Sequence, residues 1–142
     1  MRPLLVSLNL FGAPMLATRL CQSPLRAFAG TFSESGITNI QDETDFNKRV
    51  LENQKPVLVD FHASWCGPCK LLGPRLEEVM QSYMDKALLA KVDVDQNDAL
   101  ASAYKISAVP TVIAIKNGKE IERFTGLKEK TVIEKMLISL CA

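Results

Sequence analysis

The chain has 142 residues, of which 47% are hydrophobic and 23% are charged, a composition that suits one ordinary globular domain. Its formal net charge of +1 gives no reason to expect nucleic acid or another polyanion as a partner. The N-terminal apolar stretch is interrupted too often to supply the roughly 20 apolar residues of a membrane-spanning helix, so the sequence predicts no membrane segment.

The first 33 residues differ in charge from the rest of the chain. They contain no Asp or Glu, and all 16 acidic residues lie after them. Basic residues without acids, together with Ser, Thr and Leu, are typical of a mitochondrial transit peptide. One alternative is a secretory signal peptide with residues 3–17 as its apolar core, but Arg19 and Arg26 beyond that core favour the mitochondrion, with the matrix as the expected compartment. An uncleaved tail or anchor is the other alternative. We therefore expect a cleaved transit peptide at 1–33 and one domain at 34–142.

Hydrophobic periodicity divides the remaining residues into strands and helices. In chain order it predicts a strand at 37–40, a helix at 42–53, a strand at 56–63, a helix at 67–83, a strand at 87–95, a short helix ending at 104, strands at 111–116 and 119–124, and a helix at 128–140. Asp42 is the expected cap of the first helix, and Asn97 or Asp98 is that of the third. One face of the last helix is expected to be buried, namely Val132, Ile133, Met136, Leu137 and Leu140.

The order of these elements predicts an α/β fold. The strand at 56–63 is almost continuously apolar, which is typical of a central strand buried on both faces. A helix and another strand follow it, and such a strand–helix–strand unit makes the two strands parallel. Asn117-Gly118 is a strong hairpin signal, so the last two strands are expected to be antiparallel. We predict one domain with a mixed central β-sheet and helices on both faces.

The chain has four cysteines, and two of them flank Gly-Pro in the sequence WCGPC at residues 65–69. Cys21 is expected to leave with the transit peptide, and three remaining cysteines exclude a disulfide-rich scaffold. A zinc site would need His62 and Cys141 as further ligands, one on a strand and one at the penultimate position. A purely structural disulfide across so small a loop would add little stability. Of these interpretations a redox-active pair is favoured. Cys141 is expected to be a frayed terminal thiol, and the alternatives are a regulatory thiol or an intermolecular disulfide.

Local geometry supports a redox role for Cys66 and Cys69. Cys66 falls at the junction of a strand and a helix, and Cys69 falls one turn inside that helix. Residues three apart on a helix have Cβ atoms about 5–6 Å apart, which is near the range of a disulfide. Pro68 is tolerated in the first turn, and the helix N-terminus favours a thiolate on Cys66. We expect Cys66 to be the nucleophile and Cys69 to be more shielded and to act as the resolving thiol.

Five short segments follow one another along the chain in the order VDFHASWCGPCK, VDVDQN, AVPT, KNG and FTG. In this order and spacing they resemble the thioredoxin family, and the resemblance covers about residues 35–142. Together with the first 33 residues, the chain resembles the mitochondrial members of that family. It implies a thioredoxin fold and a protein-disulfide reductase whose redox centre is a Cys66–Cys69 disulfide, without a bound metal or organic cofactor. No GxGxxG nucleotide-binding motif follows a strand, so the electrons are expected to come from another protein. The resemblance implies that this protein is a separate flavin-containing thioredoxin reductase that uses NADPH. The resemblance also implies clients such as peroxiredoxins. We expect a monomer, although the sequence itself does not decide whether the protein dimerises.

Asp60 is an acidic residue in the most apolar strand. Burial of a carboxyl group raises its pKa, and strand alternation places Asp60 on the side of the helix that begins near Cys66. The resemblance implies that Asp60 exchanges a proton with Cys69 and that Lys91 tunes Asp60. The alternatives are an Asp60 at an edge or in a salt bridge, and a Lys91 side chain in solvent.

The resemblance also assigns a client-binding surface around the cysteines. Trp65 shapes that surface, a cis Val109-Pro110 bond presents the backbone of Val109 to an extended client, and Gly126 completes a flat rim. The alternatives are a packing role for Trp65 and an ordinary strand-end turn at Gly126. The intervening Gly67 and Pro68 tune the cysteine pair. His62 replaces the Trp of the wider family, a replacement that fits the mitochondrial members, and we expect it to pack or to form hydrogen bonds.

Two other classes of protein share features with this sequence. A disulfide-forming or isomerising enzyme is one, although Gly-Pro between the cysteines resembles the reducing members, whereas the oxidising members typically have His before the second Cys. A non-catalytic binding module that uses the fold as a platform is the other. An intact WCGPCK beside Asp60 argues against it.

Overall fold

The computed structural model describes residues 36–142, so the predicted transit peptide and Cys21 lie outside the described residues. In chain order the elements are β1 (Ile37–Asn39), α1 (Glu43–Phe46) with a π-helical turn (Asn47–Leu51), β2 (Val57–His62), α2 (Gly67–Gln81), β3 (Leu88–Asp93), α3 (Asp98–Ala103), β4 (Thr111–Lys116), β5 (Lys119–Thr125) and α4 (Lys130–Cys141). Every strand and helix that the periodicity predicts is present.

The five strands form one mixed sheet in the order β1-β3-β2-β4-β5. Strands β1, β3 and β2 are parallel, whereas β4 is antiparallel to both β2 and β5. Strand β2 is central, and five of its six residues are buried, which confirms the prediction of a strand covered on both faces. The register pairs Asp60 of β2 with Lys91 of β3 and with Val112 of β4.

Two apolar clusters fill the spaces between the sheet and the helices. One lies under α2 and α4 and contains Leu58, Leu72, Leu76, Ile133 and Leu137 among others. The other lies on the opposite face, where α1 contributes Phe46, the π-helical turn contributes Val50 and α3 contributes Leu100. Helices therefore cover both faces of the sheet, as the sequence predicts. None of the helices within residues 36–142 is long and apolar enough to cross a membrane.

The predicted hairpin has the backbone that Asn-Gly favours. Asn117 and Gly118 have φ angles of 53° and 71°, so both central residues are left-handed, as a type I′ turn requires. A Cβ on Gly118 would lie only 3.2 Å from the carbonyl oxygen of Leu51. Glycine is therefore needed at this position for its φ angle and for its size.

Several details differ from the predictions. Helix α2 ends at Gln81 rather than at 83, because residues 82–86 form turns. Asn97 occupies the predicted N-cap position of α3, but its side-chain amide donates to the carbonyl of Asp93 instead of capping the helix. Val132 is 40% exposed, since it lies one position away from the buried stripe of α4. Cys141 is not frayed: it ends α4 and packs partly against the core.

Candidate active site

The junction of β2 and α2 positions the two cysteines of WCGPC. Strand β2 ends at His62, and Cys66 is the N-cap residue of α2, with extended backbone angles (φ −81°, ψ 112°). The Cys66 Sγ atom accepts a hydrogen bond of 3.2 Å from the backbone N–H of Cys69. Gly67 and Pro68 occupy the exposed first positions of the helix, where the missing N–H of Pro68 leaves no hydrogen bond unmade.

Cys66 and Cys69 form a disulfide, with an S–S distance of 2.14 Å and a Cα–Cα distance of 5.3 Å. The predicted pairing is therefore confirmed. The predicted difference in shielding is wrong, because Cys66 is 4% exposed and Cys69 is 8% exposed. Ala63, Val94 and Val109 pack around the pair. Position relative to the helix terminus, and not exposure, is what distinguishes the two thiols.

A cavity of about 280 Å³ lies behind Cys69, between α2 and the sheet. Its lining carries the ionisable residues of this region, namely Asp60, His62, Cys69, Lys70, Glu77 and Lys91. The predicted proton-transfer residues therefore share one cavity with Cys69.

Asp60 is the buried acid of this cavity, with an exposure of only 2%. Its Oδ1 atom has no hydrogen-bond partner among the described residues. Burial raises the pKa of Asp60 to about 7, because an ionised carboxylate loses its hydration there. The nearby Lys91 ammonium opposes this rise in pKa, and the Glu77 carboxylate adds to it. The predicted burial and the direction of the pKa change are confirmed, whereas proton transfer by Asp60 stays a prediction.

Lys91 lies in the same cavity, but its ion pair is with a residue that the sequence analysis did not single out. Its Nζ atom is 2.5 Å from Oε1 of Glu77 on α2. The alternative of a fully solvated Lys91 is therefore wrong, since its side chain is only 22% exposed. A sequence signal for Glu77 exists: Cys69, Gly73 and Glu77 are spaced by four residues and line the cavity from one face of α2.

His62 forms part of the cavity wall at the end of β2. It is half-buried, and burial lowers its pKa, while Asp93 raises the pKa and Lys91 lowers it. A second cavity of about 180 Å³ is also lined by His62 and Lys91, together with Asp93 and residues at the end of β1. His62 therefore lies between two cavities that both contain ionisable side chains.

The opposite side of the disulfide carries Trp65 and a groove. The indole is 69% exposed, which argues against a packing role in the core. Its Nε1–H donates a hydrogen bond of 2.9 Å to Oδ2 of Asp95, which holds the ring beside the disulfide. The groove has a volume of about 310 Å³ and lies between Trp65, α3 and the loop at 106–109. The sequence carries no signal for the contact with Asp95, which lies 30 residues away.

The loop before β4 brings the other predicted client-binding residues to the disulfide. The Val109-Pro110 peptide bond is cis, as the family resemblance implies, and Val109 packs against the cysteines. Within residues 36–142 the backbone of Val109 forms no hydrogen bond. Gly126 has a φ angle of 86°, and its N–H donates a hydrogen bond of 2.8 Å to the Pro110 carbonyl. Gly126 therefore lies beside Pro110 and forms the turn at the end of β5, whereas its role in a client-binding rim stays a prediction.

Metal-ligating side chains are not clustered in the part of the chain that the structure describes. No group of three or more His, Cys, Asp or Glu side chains within it is arranged to hold a metal ion.

Comparisons with known proteins identify the relatives of this arrangement. The family model described as Thioredoxin matches residues 37–139. Mitochondrial thioredoxin of Rattus norvegicus is 49% identical over 118 residues, which are 83% of this chain and 71% of that protein. The Bos taurus protein of the same name is 52% identical over 102 residues, 72% of this chain, and this match spans 61% of the bovine protein. A mutant thioredoxin from Halobacterium salinarum has a TM-score of 0.71 and 35% identity, over 80% of this chain and 97% of that structure.

Proposed function

This chain belongs to the thioredoxin family, a family of thiol–disulfide oxidoreductases, and we propose that it reduces disulfides in client proteins through Cys66 and Cys69. The observation that carries the proposal is the Cys66–Cys69 disulfide at the N-terminus of α2, with the buried Asp60 on the cavity behind it. Such an arrangement supplies a nucleophile, a resolving thiol and a proton acceptor within one site.

The first step uses the reduced protein. The Cys66 thiolate attacks one sulfur of a client disulfide, an S–S bond forms between them, and the other client sulfur leaves as a thiolate that takes a proton from water. The helix N-terminus favours the Cys66 thiolate, because its N–H groups and dipole stabilise negative charge. The Cys69 N–H already points at Cys66 Sγ. Gly67 and Pro68 tune the pair by fixing the first turn between the two sulfurs.

The second step releases the client. The Asp60 carboxylate accepts the proton of the Cys69 thiol, and the resulting thiolate attacks Cys66 Sγ in the mixed disulfide. The Cys66–Cys69 bond forms, the bond to the client breaks, and the client leaves with its second thiolate, which is then protonated. Because the pKa of Asp60 is about 7, both its carboxylate and its acid are populated near neutral pH, as proton exchange requires. Lys91 tunes this balance through its positive charge.

Client proteins bind through their backbone on the side that carries Trp65, Val109, Pro110 and Gly126. Two features support this: the backbone N–H and carbonyl of Val109 have no hydrogen-bond partner within the described residues, and the groove beside Trp65 is open. Pairing with an extended client strand would use those groups and would make few demands on client sequence. Disulfide-containing clients such as peroxiredoxins fit this mode of binding.

The protein acts as a monomer. Electrons reach its oxidised form from NADPH through a separate thioredoxin reductase. The chain has no dinucleotide-binding GxGxxG motif after a strand, so the reductant is another protein. This partner accords with the family to which the chain belongs.

Residues 1–33 are a transit peptide that directs the domain at 34–142 to the mitochondrial matrix. The segment has no acidic residue, and the rat and bovine relatives are named mitochondrial thioredoxins. N-terminal sequencing of the protein isolated from mitochondria is expected to find a terminus near residues 27–35. Protein that carries an intact Met1 inside mitochondria would contradict the cleavage, and recovery from the secretory pathway would favour a signal peptide.

Reduction of insulin by the full chain tests the proposed activity. With NADPH and a thioredoxin reductase present, we expect NADPH consumption that depends on both the chain and the reductase. Cys141→Ser is the matched control and is expected to retain the rate, because Cys141 lies in α4, outside the site.

The contradicting result is a folded chain that supports no NADPH consumption although dithiothreitol reduces its Cys66–Cys69 bond. That result would argue against a disulfide-reductase activity of this chain. A measured reduction potential would then separate an oxidising enzyme from a binding module, because oxidising members have less negative potentials.

A further inference from the structure

Glu77 forms an ion pair with Lys91 and has no role in the proposed mechanism. Glu77 lies on α2, two turns beyond Cys69, and its Oε1 atom is 2.5 Å from Lys91 Nζ. Lys91 reaches α2 from β3: its Nζ atom would lie 3.9 Å from a Cβ placed on Gly73. The pair therefore bridges the helix and the sheet over the cavity that contains Asp60.

Lys91 shares the cavity behind Cys69 with two carboxylates, those of Asp60 and Glu77, and its ion pair is with Glu77. It is the register partner of Asp60 on the adjacent strand, and both side chains line the same cavity. Side chains at paired positions on neighbouring strands are close enough for a long lysine to reach the carboxylate. The ammonium is nevertheless bonded to Glu77, and Oδ1 of Asp60 has no hydrogen-bond partner among the described residues.

The choice of partner matters for the proton on Asp60. A lysine bonded directly to a carboxylate holds it in the ionised form and makes it a poor proton acceptor. The Glu77 carboxylate neutralises the ammonium and is 41% exposed, so it keeps the positive charge toward the outer side of the cavity.

We propose that Glu77 is a positioning residue, which retains the Lys91 ammonium on α2 and so leaves Asp60 able to take and return the Cys69 proton. The significance of this role rests on the proposed function. The remaining ionisable groups that line the cavity are His62 on β2 and Lys70 on α2, and neither has a hydrogen bond or ion pair to Asp60 among the described residues.

Titration of Asp60 in Glu77→Gln tests the proposal. In the oxidised full-length chain, the carboxyl carbon of Asp60 is followed by NMR between about pH 4 and pH 9. Glutamine has the shape of glutamate but no charge, so Lys91 is expected to turn to Asp60, and the Asp60 midpoint is expected to fall by about one pH unit or more. Glu78→Gln is the matched control, because Glu78 pairs with Lys130 on the surface, and it is expected to leave the midpoint within about 0.2 units.

The same substitution in a Lys91→Met background separates positioning from direct charge repulsion. If Glu77 acts by holding Lys91, Glu77→Gln lowers the Asp60 midpoint by less than half as much in this background. Three results would overturn the proposal. The Asp60 midpoint could fall equally in the two backgrounds, or it could fall by less than about half a pH unit in the wild-type background. It could also fall as far in Glu78→Gln as in Glu77→Gln.

A second readout keeps this proposal distinct from the proposed function. Titration needs no client or reductase, so it reports on Glu77 even if insulin is not reduced. If the chain reduces insulin, the pH profile of that activity in Glu77→Gln is expected to shift to lower pH together with the titration midpoint of Asp60. A moved midpoint with an unmoved activity profile would support the positioning role and contradict proton transfer by Asp60.

Discussion

Replacement of Cys69 by serine is expected to stop the reaction at the mixed disulfide between Cys66 and a client. Serine is a very weak nucleophile toward sulfur at neutral pH, and within residues 36–142 Cys69 is the cysteine that lies at bonding distance from Cys66. The first step still occurs, because the Cys66 thiolate and the helix N-terminus that stabilises it are unchanged. We expect turnover with insulin to fall by at least about 100-fold while a covalent adduct accumulates.

Non-reducing electrophoresis and mass spectrometry measure the adduct. The substitution is made in the Cys141→Ser background, so that the thiol in α4 adds no other disulfide. Cys66→Ser in the same background is the control, and it is expected to be inactive and to form no adduct. An adduct formed by Cys66→Ser but not by Cys69→Ser would reverse the proposed roles of the two cysteines.

Asp60→Asn is expected to stabilise the protein at alkaline pH. The pKa of Asp60 is about 7 in the folded protein, against an ordinary value of 3.8, which corresponds to about 4 kcal/mol. Below pH 3.8 the carboxyl is protonated in both states, and its contribution to stability is fully present. Between 3.8 and about 7 the unfolded chain ionises while the folded protein keeps its proton, so the free energy of unfolding falls as the pH rises.

Asparagine lacks this ionisation, so the variant does not lose that stability. Urea unfolding of the oxidised protein at pH 4 and pH 8 measures the effect as the change in the free energy of unfolding. The gain of Asp60→Asn over the wild type is expected to be larger at pH 8 than at pH 4, by up to about 4 kcal/mol. Asp85→Asn, in an exposed turn, is the matched control and is expected to follow the wild type at both pH values. A pH dependence shared by all three proteins would contradict the burial of a titrating Asp60.

This expected instability is the counterpart of the proposed activity. A carboxyl group whose pKa is near 7 can accept and return a proton at neutral pH, but its ionised form destabilises the folded protein. Glu77 and Lys91 act on the same balance from opposite directions, since one raises the pKa of Asp60 and the other lowers it. The gain in stability of Asp60→Asn is not expected to bring a gain in activity, because asparagine cannot take the Cys69 proton.

The positions of helices and strands follow closely from the sequence, with errors confined to their ends and faces. Periodicity predicts which stripe of α4 is buried, but it does not decide whether Val132, one position from that stripe, is covered. Helix α2 likewise ends at Gln81, where turn hydrogen bonds replace the helical ones. Such boundaries depend on neighbouring elements, and a hydrophobic pattern along one segment does not describe its neighbours.

The sequence by itself determined the features of this protein that depend on residues close together in the chain. The Cys66–Cys69 pair, the helix start at Gly67 and the Asn117-Gly118 hairpin each follow from spacing and backbone preference over a few residues. The apolar neighbours of Asp60 within its own strand were enough to predict its burial and its raised pKa.

Only the tertiary structure decided which distant side chains meet at the site. The ion pair of Lys91 with Glu77 and the hydrogen bond of Trp65 to Asp95 join separate elements, and both depend on strand register and on how α2 packs on the sheet. The relative exposure of the two cysteines is likewise set by packing from other elements, among them the loop that carries Val109. Polar side chains that meet across a fold have no periodicity in the sequence, because the packing of helices on the sheet determines which of them come into contact.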